Sequence, residues 1–558
     1  MKNKTPEKSY EETSKLNSEP LHISVWILGI LSSSAILLFS VLLLTAKLRF
    51  EQYPPLPPSP PLPLLLLMTA ITGGMLFCVF YTGCCLWHNL SQLRKRLLIG
   101  VFIFLSVITQ IVIALSLFGK IAYDFNYLFH AARELANGNG MQPYDSDYFA
   151  QFPNNRFLML CFELIFRIYN MLGLQSYYPS AIYLDALTVV NVLMVDLTIL
   201  FSVLSANKMF GRKIAWLSLL LLVPTLGFHR GIVLPYSDTF CILFPIVFLY
   251  LYVTLSPHGF RRWSAIFFMA LCLIIGINIK PQAGILPIAI LIYESFSVKK
   301  NKQFWLSSLK TTACFILTAI ILSGAFQGYA NLRLGPHISE ELEEKLSIPA
   351  THYLMMGMND KHNGFINSED YQATLSYPTK AEKVQYNLNE IRRRFQKFGV
   401  TGYVKFLWRK HSKIFETARM DMWIREPFHA IGPLGESIRK LIYYTDGALP
   451  FYDTALQSGW LILFFFILLP ALFNRRKNVD RHVIILRLTV IGLWIFLLLF
   501  EAGQRYLFHQ IPIFCLLAAW GMCNFKFTAW FKRQKSLYDA WVKLSSIFAR
   551  QNTYSSSK

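Results

Sequence analysis

Residues 97–127 read LLIGVFIFLSVITQIVIALSLFGKIAYDFNY, and this stretch decides the fold. Residues 97–118 are uncharged and almost wholly apolar, enough for one helix to cross a hydrocarbon core of roughly 30 Å. Arg94, Lys95 and Arg96 stand immediately before the run, and Tyr123-Asp124 follows soon after it. A basic flank marks the cytoplasmic end of a span. The run therefore defines a membrane helix, its direction, and an acidic residue at its outer end.

The rest of the chain repeats the pattern. Of 558 residues, 54% are hydrophobic and 15% are charged, where a soluble chain carries about 25% charged residues. Mean hydropathy is +0.39. These values exclude an ordinary cytosolic enzyme and a disordered chain. Twelve spans are predicted, at about 24–46, 62–87, 97–118, 183–205, 212–229, 236–255, 263–279, 283–297, 310–328, 457–474, 483–500 and 506–523. The first is too long for a cleavable signal peptide and follows a polar stretch. The net charge of +22 does not indicate nucleic acid, because the basic residues fall in short clusters between apolar runs. Nine cysteines lack zinc-like spacing, and Cys78, Cys84, Cys241, Cys272, Cys314 and Cys515 sit inside apolar runs as small hydrophobes.

With a cytoplasmic N-terminus, the short inner loops carry Arg94/Lys95/Arg96, Lys208/Arg212/Lys213, Arg261/Arg262, Lys299/Lys300/Lys302/Lys310 and Arg475/Arg476/Lys477/Arg481. The outer connections carry only Lys47, Arg49, Arg230, Lys280 and Arg505. That asymmetry is the positive-inside signature and places both termini inside. Residues 156–173 are apolar but contain Arg156, Glu163 and Arg167. A charge at bilayer centre costs about 2.5–3.5 kcal/mol, so this segment reads as an amphipathic helix on the outer surface. The expected architecture is an all-α polytopic membrane protein with about 12 transmembrane helices, outward-facing amphipathic helices and a large outer loop region. Its parts are a cytoplasmic tail 1–23, two additional N-terminal spans in 24–96, a core 97–328 with outer loop 119–182, an extracytoplasmic region 329–456, C-terminal spans 457–523 and a basic tail 524–558. Residues 54–63, rich in proline, read as a stiff outer connector.

Ionisable residues collect at the outer ends of the spans. Asp124 follows the third span, Asp238 begins the sixth in Leu234-Pro235-Tyr236-Ser237-Asp238, and Lys280 ends the seventh before Pro281. Glu501 and Arg505-Tyr506 occupy the turn between the last two spans. Each has a plainer reading on its own. Asp124 suits a solvated loop, Lys280 and Arg505 suit snorkelling to headgroups, Asp238 suits a helix N-cap, and Glu501 suits pairing with Arg505. Together they form a cluster of both signs on one membrane face, which is a site by default. Carboxylates can accept a proton from an acceptor hydroxyl, and cations can hold a departing phosphate. The set fits transfer of a sugar from a lipid phosphate. Thr351-His352-Tyr353-Leu354-Met355-Met356-Gly357-Met358 is a polar and aromatic run in the large loop, read as a lid, an acceptor-binding element or a locally packed loop.

These residues resemble the polytopic GT-C glycosyltransferases, the group of protein O-mannosyltransferases and aminoarabinose transferases. The likeness lies in a span followed by Tyr123-Asp124 and a short amphipathic helix over 125–137, then Gly138, Gly140, Pro143-Tyr144 and Phe152-Pro153-Asn154-Asn155. It continues through Met209-Phe210-Gly211-Arg212-Lys213, Pro235-Tyr236-Ser237-Asp238, Lys280-Pro281 and Glu501 with Arg505-Tyr506. The resemblance implies a polyprenyl-phosphate sugar donor, an envelope glycan, glycolipid or protein acceptor, and inversion at the anomeric carbon. It implies Asp124 as catalytic base and Asp238 as a catalytic residue that binds the acceptor, or a divalent cation (Mg or Mn) if one is used. It implies Lys280 and Arg505 at the donor phosphate, with Glu501, Tyr506, Tyr123, Tyr144 and His352 as further substrate contacts. The spans in 24–96 fall outside the catalytic core on this reading. A transporter or lipid flippase is the alternative, and a non-catalytic assembly factor a third reading. The sequons Asn3-Lys4-Thr5 and Asn89-Leu90-Ser91 both fall inside, which favours a bacterial plasma membrane.

Overall fold

The computed structural model describes residues 23–48, 62–89, 91–118, 123–174, 183–256, 259–297, 302–415, 417–420, 429–430, 432–442, 451–473 and 480–524. Both terminal tails, most of the proline-rich connector, and Arg49, Lys299, Lys300, Arg475, Arg476 and Lys477 lie outside the described residues.

The chain is helical almost throughout, as its apolar runs require, because a helix satisfies its own backbone groups where no water can. The N-terminal pair is α1 (Ile23–Leu48) and α2 (Leu62–Asn89). The decisive stretch forms α3 (Gln92–Ser116), capped where Ser91 accepts the Arg94 amide at 3.3 Å. The segment after α3 folds as α4 (Asp124–Ala136), α5 (Pro143–Gln151) and α6 (Arg156–Met171). Next come α7 (Leu184–Phe210) and α8 (Arg212–Leu222). Gly211 separates them at φ 88°, a conformation open to glycine. α9 (Ser237–Phe240) and α10 (Leu243–Val253) are followed by α11 (Phe260–Ile279), α12 (Ile285–Ser297) and α13 (Lys302–Leu334). The large loop contains α14 (Glu340–Leu346), α15 (Ala350–Met356), α16 (Ser368–Leu375), α17 (Lys380–Phe415) and α18 (Gly432–Ile442). The chain closes with α19 (Phe451–Phe473), α20 (Arg481–Leu499) and α21 (Ile511–Asn524). Two-residue strands β1 (Leu117–Phe118) and β2 (His429–Ala430) pair antiparallel.

Among the described residues, eight helical stretches are long and apolar enough to cross a membrane: Ser24–Leu42, Leu97–Ser116, Leu184–Phe210, Phe260–Ile279, Lys310–Leu334, Tyr452–Ala471, Arg481–Leu499 and Gln504–Asn524. They coincide with eight of the twelve predicted spans. Of the other four, 62–87 is also a single 28-residue helix, α2, and three are broken or short among the described residues. Ser237–Val253 is a shorter apolar stretch. α8 gives way to a π-turn, Val223–Gly227, that contains Pro224. α12 has only 13 residues.

α1 is packed into the interior rather than laid beside it. Phe39 is fully buried and meets the rings of His411, Phe415, Phe464 and Trp494 at centroid distances of 4.9–5.7 Å. Trp494 donates its indole N–H to His411 Nδ1 at 3.0 Å, and Arg487 donates to Ser33 Oγ at 2.6 Å. α1 therefore bridges α17, α19 and α20. α6 is the amphipathic helix expected over 156–173. It buries Phe162 and Phe166 against α4 while Leu164, Ile168 and Met171 stay exposed. Its buried Glu163 is paired with Arg167 at 2.8 Å and with Arg333 of α13.

The large loop is clamped onto the turn after α20 by one lysine. Lys410 of α17 donates to the carbonyls of Gly357 at 2.7 Å, Leu498 at 3.0 Å and Phe500 at 2.6 Å. The Ala502 amide donates to Gly364 O at 2.7 Å. No side chain fits at Gly357, where an added Cβ would lie 2.5 Å from Leu499 O. Burial pulls the Lys410 ammonium down to about 7, against the opposing charge of Glu501. Lys410→Met leaves three carbonyls without their donor, and a buried unsatisfied group costs about 1–3 kcal/mol. We expect a lower melting temperature and faster proteolysis within 340–415; an unchanged melt and digest would show that the clamp contributes nothing.

Candidate active site

α4 begins at Asp124, and the residue before it is held in an unusual backbone conformation. Tyr123 has φ 63° and ψ −138°, strain of roughly 1–3 kcal/mol for a residue with a Cβ. Tyr236 donates its hydroxyl to Asp124 Oδ2 at 3.2 Å, and the Tyr148 hydroxyl is a second partner of the same carboxylate. Tyr148 is itself fixed, accepting Asn155 Nδ2 at 2.6 Å and stacking on Tyr127 at 4.2 Å. Burial raises the Asp124 pKa above that of a free aspartate, and Arg505 with the two tyrosines offsets only part of the rise. The result is a carboxylate that is oriented and more basic than usual.

Asp238 anchors the other half. It is 1% exposed and lies between two cations. Lys280 Nζ pairs with Oδ1, and Arg505 Nη1 lies 3.3 Å from Oδ2. Tyr236, not Asp238, is the N-cap of α9. Lys280 does not snorkel; it is 5% exposed, at the point where Pro281 ends α11. Burial lowers its pKa, with Asp238 opposing. Arg505 sits on the 3-10 turn Gln504–Gln510 that leads into α21. The three residues thus tie together the ends of α9, α11 and α21.

Aromatic rings line this charge cluster. Lys280 Nζ lies 4.5 Å from the Tyr506 ring centroid, and Arg505 Cζ lies 4.9 Å from Tyr506 and 5.7 Å from Tyr236. Glu501 accepts a hydrogen bond from Tyr506, and burial raises its pKa while Arg505 opposes the rise. Arg505 joins the two halves: it pairs with Asp238 and acts electrostatically on Asp124. Tyr353 of α15 feels both Glu501 and Asp124, which brings the large loop to the site.

Of the residues singled out from sequence, the structure gathers Asp124, Asp238, Lys280, Glu501, Arg505 and Tyr506. Tyr123 borders them with its side chain half exposed. Tyr144 stands apart, half exposed on α5, its hydroxyl 2.9 Å from the His130 ring that pairs with buried Asp145. His352 is packed inside the large loop, with Nδ1 2.8 Å from Thr374 Oγ1. Burial pulls its imidazole down to about 4, so it is neutral at physiological pH. Tyr148, Tyr236 and Tyr353 were missed. Tyr236 and Tyr353 lay within the motifs quoted above, but nothing in spacing marks a tyrosine that bonds a carboxylate 112 positions away. A divalent cation does not fit at Asp238, where two cationic side chains would repel it. Among the described residues no group of three or more His, Cys, Asp or Glu gathers to hold a metal.

A protein family described as "Conserved hypothetical integral membrane protein" matches residues 62–524. The chain belongs to this family. No curated protein matches the sequence. Among solved structures, this family member is similar to ArnT from Cupriavidus metallidurans in the apo state, with TM-score 0.32, 11% identity, and 75% of this chain and 77% of that one covered. ArnT bound to undecaprenyl phosphate gives TM-score 0.32 and 13% identity over the same shares. The archaeal oligosaccharyltransferase AglB from Archaeoglobus fulgidus, in complex with an inhibitory peptide and a dolichol-phosphate, gives TM-score 0.35 and 11% identity. That match covers 78% of this chain and 51% of AglB. At such TM-scores the chemistry has to come from the site itself.

The ion cluster makes its members unequal. Asp238→Ala leaves two buried cations without their shared anion, and breaking such a pair costs about 3–5 kcal/mol. Lys280→Ala leaves Asp238 still paired with Arg505. Thermal unfolding in detergent should show a clearly larger loss for Asp238→Ala; equal melting temperatures would contradict the shared-anion arrangement.

Proposed function

We propose that this chain is a membrane glycosyltransferase that moves a monosaccharide from a polyprenyl-phosphate donor to an acceptor hydroxyl, with Asp124 as general base. The observation that carries the reading is the junction at Arg505. One guanidinium acts on a partly buried, oriented carboxylate (Asp124) and shares an anion, Asp238, with a second cation, Lys280. Base and phosphate-binding charge are thereby adjacent at the bundle end assigned outward from the sequence.

The steps follow from these positions. Asp124 takes the proton of the acceptor hydroxyl as its oxygen attacks the anomeric carbon. The bond from that carbon to the phosphate oxygen breaks, and the lipid phosphate leaves with the electron pair. Lys280 and Arg505 stabilise the charge on the leaving phosphate. Tyr236 and Tyr148 keep Asp124 aimed, and its raised pKa makes it a stronger base. Attack from the face opposite the phosphate inverts the anomeric carbon. Glu501, through Tyr506, sets the position of the ring beside both cations.

The test is donor consumption by protein in nanodiscs, using radiolabelled polyprenyl-phosphate sugars with membrane extract as acceptor. Asp124→Asn should reduce transfer by about 10²–10⁴-fold, the usual share of a general base, with donor binding retained. The base must be ionised, so activity rises as pH climbs through its pKa. Because burial raises that pKa, the acidic limb of kcat/KM should lie above the 3.8 of a free aspartate. Full turnover by Asp124→Asn, or a limb at or below that value, would remove Asp124 as base.

A further inference from the structure

A cavity of about 570 Å³ opens beside this site, between the start of α6, the ends of α11 and α13, and the start of α14. That volume is within the usual range for ligand sites. Four carboxamides line it: Asn154, Asn278, Gln327 and Asn331. Phe157 and Phe326 meet edge to face at 4.5 Å and supply an apolar edge. The charged groups in the wall are Arg156, Glu340 and Glu343, and Arg156 is paired with Glu343 at 2.7 Å. What remains is weakly acidic, so an anionic ligand is disfavoured there.

A carboxamide donates through its nitrogen and accepts at its oxygen. Asn278 Nδ2 donates to Ile274 O at 2.8 Å, so that residue offers the cavity its oxygen. The four together suit an uncharged ligand that donates and accepts at adjacent atoms, as a run of sugar hydroxyls does. The cavity is linked to both halves of the catalytic cluster through its lining residues. Asn154 donates to Asn155 Oδ1 at 3.2 Å, Asn155 donates to Tyr148 at 2.6 Å, and Tyr148 bonds Asp124. On the opposite wall, Asn278 lies two residues before Lys280. Gln327 and Asn331 belong to α13, whose preceding turns expose Ile316, Leu317, Ile320 and Ile321. That apolar track ends at the polar cavity, the layout expected for a molecule with a lipid tail and a hydrophilic head.

We propose that this cavity binds the uncharged carbohydrate head of a lipid-linked acceptor, its tail lying along the exposed face of α13. The word acceptor rests on the transferase reading; carbohydrate binding rests on the cavity alone.

The experiment separates the two. Ser339→Cys places a thiol on the cavity wall with little change in size, and Glu340→Cys is a second reporter at an exposed position. Full-length protein in nanodiscs is alkylated with N-ethylmaleimide, and the rate at that cysteine is read by peptide mass spectrometry. Octyl β-D-glucopyranoside, octyl phosphate and octanol are compared below micellar concentration. The glucoside should slow alkylation several-fold while octyl phosphate and octanol do not, and Gln327→Leu with Asn331→Leu should abolish the protection. Equal slowing by all three probes, or none by the glucoside with both reporters, would overturn the proposal. The readout needs no transfer, so loss of sugar transfer in the earlier assay and loss of protection here are distinct outcomes.

Discussion

Asp238, buried between Lys280 and Arg505, is the constraint on which the rest of the structure depends. A charge taken out of water is tolerated only when it is paired and hydrogen-bonded. Here the pairing draws residues from positions 238, 280 and 505 to one place, so the ends of α9, α11 and α21 meet. The turn that carries Arg505 also carries Glu501, and Lys410 holds that turn from the opposite side through Leu498 and Phe500. The large loop is therefore attached at the same point as the ion cluster. Folding of the membrane bundle and placement of its outer layer converge on one group of charges.

Asp124 is positioned by a different kind of force. Its helix starts from a strained Tyr123, and two tyrosine hydroxyls from separate elements hold its carboxyl. Strain of this kind persists only where surrounding contacts over-determine it, and it gathers at functional positions. Under the proposed reading, Arg505 serves both halves: it supports the leaving phosphate and limits how far burial raises the pKa of the base. The carboxamide cavity then gives the acceptor a neutral approach that does not compete for those cations.

Much of the architecture was legible in the sequence because membrane helices announce themselves by length and apolarity, and the basic clusters order them. The three broken or shorter spans were not, because an apolar run says nothing of a π-turn at Pro224 or of a break between Phe240 and Leu243. The ionisable members of the cluster stood out because charges of both signs from distant positions fell on one face. Tyr148 and Tyr236 did not, since a tyrosine amid apolar residues has the same sequence signature whether it packs or bonds a carboxylate. Tyr144 and His352 looked suitable by neighbourhood in sequence, yet their partners are His130 and Thr374. The cavity was hidden for the same reason: Asn154, Asn278, Gln327 and Asn331 come from three separate stretches.

The central claim is that the cations on Asp238 receive a lipid phosphate. An electron cryo-microscopy structure of the protein in nanodiscs with undecaprenyl phosphate tests it most directly. The account predicts phosphate density within hydrogen-bonding distance of Lys280 and Arg505, with Asp124 facing the same space. A phosphate bound elsewhere, with Lys280 and Arg505 still closed on Asp238, would contradict it.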